Sequence, residues 1–138
     1  MDYVFDISSY LKSALAEDIG AGDVTGNATI PADMQARFVF RAREACVVSG
    51  LTYLPALFRL VDSAIVLTLL AKDGDQVSAG AVLAQVEGPA RSILAGERVA
   101  LNLLQHLSAI ATMTRRYVDA VAGTGAQIWD TRKTLPLM

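Results

Sequence analysis

Apolar residues recur at Ile7, Tyr10, Leu11, Ala14 and Leu15, spaced i, i+3, i+4, i+7 and i+8. That spacing lays one apolar stripe along a helix, predicted from Asp6 to Glu17 and ended by Gly20 and Gly22. The period then changes. Between Gln35 and Arg43, Ala36, Phe38, Phe40 and Ala42 share one face while Arg37, Arg41 and Arg43 share the other. This two-residue repeat predicts a strand with one face buried and one turned to water or a partner. A short apolar run over 45–48 stops at Gly50. Tyr53 to Val61 reads as a short helix, with Pro55 tolerated in its first turn. Ala64 to Ala71, rich in branched residues, predicts a buried strand. The turn Lys72-Asp73-Gly74-Asp75 follows, then a strand from Val82 to Val86 ended by Gly88-Pro89.

From Ser92 to Ala122 helix formers run almost unbroken, with apolar residues around much of the circumference. The expectation is mostly buried helix, broken in two near Ser108 and Thr112 and closed by Gly123. Ala126 to Asp130 reads as a short strand leading into Thr131-Arg132-Lys133-Thr134. Antiparallel strands with helices on one side make an α+β sandwich. There is no internal repeat and no low-complexity tract.

A chain of 138 residues accommodates one domain, or one domain and part of a second. With 53% hydrophobic residues it carries a surplus of apolar surface, which a partner subunit or further chain is expected to cover. No run reaches the roughly 18 apolar residues of a membrane span. Met1 to Asp6 lacks the features of a signal peptide, so a cytoplasmic location is expected. The single cysteine, Cys46, sits in an apolar run and reads as a small buried hydrophobe.

The net charge of −2 conceals an asymmetry: residues 1–90 hold 6 basic and 11 acidic side chains, residues 91–138 hold 6 and 3. A cationic C-terminal third in an acidic chain with few aromatics suits small carboxylates or phosphates rather than nucleic acid.

Three segments could carry chemistry. Asp73 to Leu83, with Glu87-Gly88-Pro89 after it, looks like half of a biotinyl or lipoyl carrier domain, but no lysine sits at an exposed hairpin tip to take a cofactor; the glycines and aspartates read as structural turns. In the second, Gly96 to Ser108, Arg98 and Asn102 lie four apart on one helix face. An arginine there needs an anion, either a ligand or an intrachain carboxylate. His106, the only histidine, reads as a packing residue. In the third, Asp130 to Thr134, Arg132 and Lys133 between two threonines offer a donor fork for a carboxylate and a point charge for a phosphate, or form a solvated loop.

Together these segments resemble the quinolinate phosphoribosyltransferases, the carboxylating nicotinate-nucleotide pyrophosphorylases. The matching pieces are Leu15-Ala16-Glu17-Asp18-Ile19-Gly20 with Gly22-Asp23-Val24-Thr25, Val86-Glu87-Gly88-Pro89-Ala90, Glu97-Arg98-Val99-Ala100-Leu101-Asn102, His106 to Thr112, and Asp130-Thr131-Arg132-Lys133-Thr134. Five in order over nearly the whole chain are specific where one would be weak. Ala109 stands where the family often has glycine, as does Leu137 after Pro136.

The resemblance implies an N-terminal α/β open sandwich domain over residues 1–110. Residues 111–138 would then start an α/β barrel with a helix and its first strand. It further implies a homodimer with shared active sites, no membrane or nucleic-acid partner, and substrates quinolinate and phosphoribosyl pyrophosphate, with Mg2+ on the pyrophosphate. Arg98 would reach the neighbour's quinolinate, while Thr131, Arg132 and Lys133 would line the barrel side. No metal ligand is expected in this chain, which by itself is expected to be inactive because most of the barrel is missing. A molybdenum-transport-associated phosphoribosyltransferase-like protein and a non-catalytic interaction or carrier module are the alternatives. Glu97-Arg98 and Asp130 to Lys133 favour quinolinate over the former.

Overall fold

The computed structural model describes residues 7–131 and 133. Helix α1 (Ile7–Ile19) buries Leu11 and Leu15, with Ile7, Tyr10 and Ala14 packed at the edge of the same core. This is the face that the spacing predicted. Gly20 ends the helix at positive φ, its N–H donating to the Ala16 carbonyl at 3.1 Å. A short helix absent from the sequence reading follows, α2 (Val24–Thr29), capped by the Asp23 carboxylate, which accepts the Gly26 N–H at 3.0 Å. Arg91 fastens α2 to the rest of the fold, donating to the carbonyls of Ile30 at 2.7 Å and Asn27 at 3.2 Å.

The main sheet is antiparallel in the order β1 (Gln35–Arg41), β5 (Val82–Pro89), β3 (Val66–Leu69). Phe38, Val86 and Leu67 stand abreast, as do Phe40, Ala84 and Leu69, so these six share one face. Phe40, Ala84 and Val86 on it are buried in the core with α1, α3 (Leu54–Val61) and α4 (Ala90–Ala120). Val39, Gln85 and Thr68 lie on the opposite face beside the Arg37–Glu87 ion pair at 3.0 Å, and Val39 and Thr68 are exposed. The predicted alternation of β1 therefore holds in side-chain direction, with Phe40 buried, but Phe38 on the same face is 38% exposed. The expectation of a buried strand at Ala64 to Ala71 does not hold: Val66, opposite Glu87 on the uncovered outer face of the sheet, is 63% exposed, and Leu69 and Leu70 on this edge strand are exposed as well. Branched residues reported strand propensity there, and position in the sheet decided burial.

A two-stranded ribbon pairs β2 (Cys46–Val47) with β4 (Gln76–Val77). The turn between β3 and β4 is structural, as the sequence suggested. The Asp73 carboxylate accepts the N–H groups of Leu51 at 2.8 Å and Thr52 at 3.3 Å, capping the 3-10 turn Leu51–Tyr53 that leads into α3. Phe58 of α3 meets Phe40 of β1 with ring centroids 6.1 Å apart, tilted by 56°, an arrangement favoured by the ring quadrupoles.

Helix α4 is the spine of the fold. Its 31 residues span about 46 Å at the standard rise. Gly96 lets it approach α3 closely: a Cβ there would lie 3.1 Å from Val61 Cγ2 and 3.2 Å from Phe58 Cε1. The expected break at Ser108 and Thr112 does not occur. Both hydroxyls are instead used between elements. Ser108 Oγ accepts the Ser49 N–H at 3.0 Å, and Thr112 Oγ1 accepts the Val47 N–H at 2.9 Å while donating to the Ser108 carbonyl at 2.6 Å. The helix is also less covered than expected. Its buried residues lie between Ala90 and Leu104, whereas Leu101, Ile110, Met113 and Tyr117 are exposed.

Beyond α4 the predicted strand Ala126 to Asp130 is absent. These residues are irregular and exposed, Trp129 by 79%. A strand needs a neighbour to satisfy its backbone, and the described residues offer none here. Among the described residues, no helix is long and apolar enough to cross a membrane.

Candidate functional site

The arginine singled out on α4, Arg98, lies over a groove between α4 and α1. Helical spacing puts Arg98, Asn102 and His106 on one face of α4, and α1 faces them with Tyr10, Glu17 and Asp18, enclosing about 530 Å³. Arg98 Nη1 donates to Asp18 Oδ1 at 2.7 Å. The partnership is lopsided, for the Arg98 side chain remains 73% exposed while that of Asp18 is only 18% exposed. A guanidinium has five N–H donors in a fixed plane, so one contact leaves most of the fork open for a second anion.

Asp18 is a partner that the sequence reading missed. A carboxylate in the last turn of a helix opposes the macrodipole, and α1 has no basic residue in that turn. That mismatch was the available signal that a cation comes from another element. His106 is exposed on the groove rather than packed in the core, which corrects its reading as a packing histidine. The helix turns it toward α1 on the same side as Arg98.

The second predicted cluster is only partly described. Thr131 and Lys133 are exposed and locally linked, the Lys133 N–H donating to Thr131 Oγ1 at 3.2 Å. Arg132 lies outside the described residues. The ion-pair partner described for Arg98 is Asp18, and the structure links neither Thr131 nor Lys133 to the Arg98 groove. Cys46, expected to be buried, is half-buried. Burial, and secondarily the charge of Glu44, push its thiol above the ordinary range, which disfavours the nucleophilic thiolate.

Among the described residues, no group of three or more His, Cys, Asp and Glu side chains is placed to hold a metal ion. The chemistry available here is anion binding. Arg98 offers a planar donor fork at the mouth of a partly apolar groove, with an amide and an imidazole beside it.

Residues 23–108 match the family model described as the quinolinate phosphoribosyl transferase N-terminal domain. The chain belongs to this family. A carboxylating nicotinate-nucleotide pyrophosphorylase of Arabidopsis thaliana, chloroplastic, is 42% identical over 96% of this chain and 38% of its own length. A probable enzyme of the same name from Synechocystis is 45% identical over 94% of this chain and 44% of its own. The crystal structure of NadC from Streptococcus pyogenes superposes with a TM-score of 0.90 at 41% identity, covering 99% of this chain and 49% of that one. The chain thus spans less than half the length of these relatives, and the family match falls on their N-terminal domain.

Proposed function

We propose that this chain supplies the N-terminal domain of an enzyme that transfers phosphoribose from phosphoribosyl pyrophosphate to quinolinate with decarboxylation. The products would be nicotinate mononucleotide, pyrophosphate and CO2. One observation carries the reading: within a chain of this family, Arg98 is tethered through a single nitrogen and leaves the rest of its fork exposed beside the groove. A dicarboxylate matches that fork, because bidentate pairing gives both charge and orientation. Holding the carboxylates in place also orients the ring nitrogen toward the anomeric carbon, which lowers the entropic part of the barrier.

Thr131, Arg132 and Lys133 of one subunit would line the barrel side of the pocket into which the Arg98 of its neighbour reaches. Mg2+ would travel with the pyrophosphate, as the family resemblance implies. Leu101, Ile110, Met113 and Tyr117, exposed on α4, support assembly, and the reading takes it to be a homodimer with shared active sites in the cytoplasm. Neither a nucleic acid nor a membrane is part of this reading.

The test is turnover by the full-length enzyme bearing this chain, with phosphoribosyl pyrophosphate and magnesium. Quinolinate is expected to be consumed and nicotinate not. Equal turnover of the two acids, or of neither, would remove the assignment. Light scattering is expected to show a dimer, and a monodisperse active monomer would contradict the shared site.

A further inference from the structure

We infer that Asp18 is a positioning residue, holding Arg98 in the orientation that receives the substrate carboxylate; the inference rests on the role of Arg98 proposed above. Three features of the structure support it. First, the contact is a charge-assisted hydrogen bond of 2.7 Å between residues 80 apart in sequence, so it fixes a side chain on α4 from another helix. An exposed arginine otherwise samples many rotamers, and a site loses binding energy in ordering it. Second, Asp18 engages Nη1 alone, leaving the other nitrogens for a ligand.

Third, docking of α1 does not require the pair. Leu11 and Leu15 are buried in the core, with Ile7, Tyr10 and Ala14 packed around them, and an ion pair whose guanidinium stays 73% exposed adds little to such packing. Asp18 nevertheless sits where the helix dipole disfavours it, with Glu17 beside it in the same groove. Its net effect on a dianionic substrate is therefore a contest between orientation of Arg98 and repulsion by the carboxylate. Because Arg98 neutralises that carboxylate directly while keeping most of its donors, orientation should win.

The experiment compares the full-length enzyme with its Asp18→Ala, Asp18→Asn, Asp18→Glu and Arg98→Ala variants. For D18A the quinolinate KM should rise roughly tenfold, as expected when a binding group is held less well. Its kcat and its KM for phosphoribosyl pyrophosphate should stay within about threefold of the parent. The thermal midpoint should be unchanged, and D18E should recover part of the loss. A quinolinate KM in D18A equal to or below that of the parent would overturn the inference, the latter showing Asp18 to be a competitor for Arg98. A parallel fall in thermal midpoint and in all kinetic constants would also overturn it, returning Asp18 to a structural role. If D18A does not fold, Asp18→Asn carries the test, because it keeps the shape and removes the charge that holds Arg98: a raised quinolinate KM supports the inference and an unchanged one refutes it. An unchanged quinolinate KM in R98A would instead refute the proposed role of Arg98 itself.

Discussion

The Ser108 hydroxyl meets the backbone of Ser49 twice, accepting its N–H at 3.0 Å and donating to its carbonyl at 3.2 Å. One turn further on, Thr112 takes the N–H of Val47. Together they close the edge of the β2 ribbon against α4 with side chains, where a third strand would otherwise do so.

Ser108→Ala should therefore destabilise the fold by about 1 to 2 kcal/mol, because it strands a part-buried N–H and a carbonyl together. Urea unfolding would measure this. A loss below a few tenths of a kcal/mol would mean that water replaces the hydroxyl without cost.

Gly96→Val should cost about 2 kcal/mol through overpacking. The new side chain would start 3.1 to 3.4 Å from Val61, Phe58 and Leu57, closer than ordinary contact. Neutral or stabilising behaviour in thermal melts would show that α3 can slide away from α4.

Asp73→Ala should lower stability by about 1 kcal/mol, typical of a lost cap, because the N–H groups of Leu51 and Thr52 lose their acceptor. Asp73→Asn should recover much of this, since its amide oxygen can still accept one bond. Equal losses in the two variants would point to charge rather than hydrogen bonding.

Acid should reveal the link between Asp62 and Ser92. The Ser92 hydroxyl at 2.7 Å, then the Ala64 N–H at 2.9 Å, hold the Asp62 carboxyl below its ordinary range. A carboxylate lowered in the folded state stabilises fully above its unfolded pKa, and that contribution is lost as pH falls through the folded value. Wild type should thus exceed Ser92→Ala in stability at neutral pH. The gap should narrow progressively below the ordinary aspartate value of 3.8. A gap independent of pH would refute the coupling.

Periodicity made much of this fold legible. The stripe from Ile7 to Leu15, the alternation from Ala36 to Ala42 and the Lys72 to Asp75 turn all lie where local pattern placed them, because each depends on residues close in sequence. The five family-like segments likewise identified the chain's relatives, and Arg98 stood out as a cation on a mostly apolar helix. The failures share a different character. Ser108 and Thr112 are weak helix formers and read as a break, yet α4 runs unbroken and Ser49 and Val47, about sixty positions away, use their hydroxyls. Ala64 to Ala71 has the composition of a buried strand, but only the strand order places it at an edge.

By itself, then, the sequence determined helix and strand period, turn chemistry and family membership, which are set by neighbouring residues and by motifs. Tertiary structure decided which apolar faces are covered, which hydroxyls are satisfied, and that Asp18 rather than a nearer carboxylate pairs with Arg98. Those outcomes depend on distances between segments remote in sequence, and no local pattern encodes them.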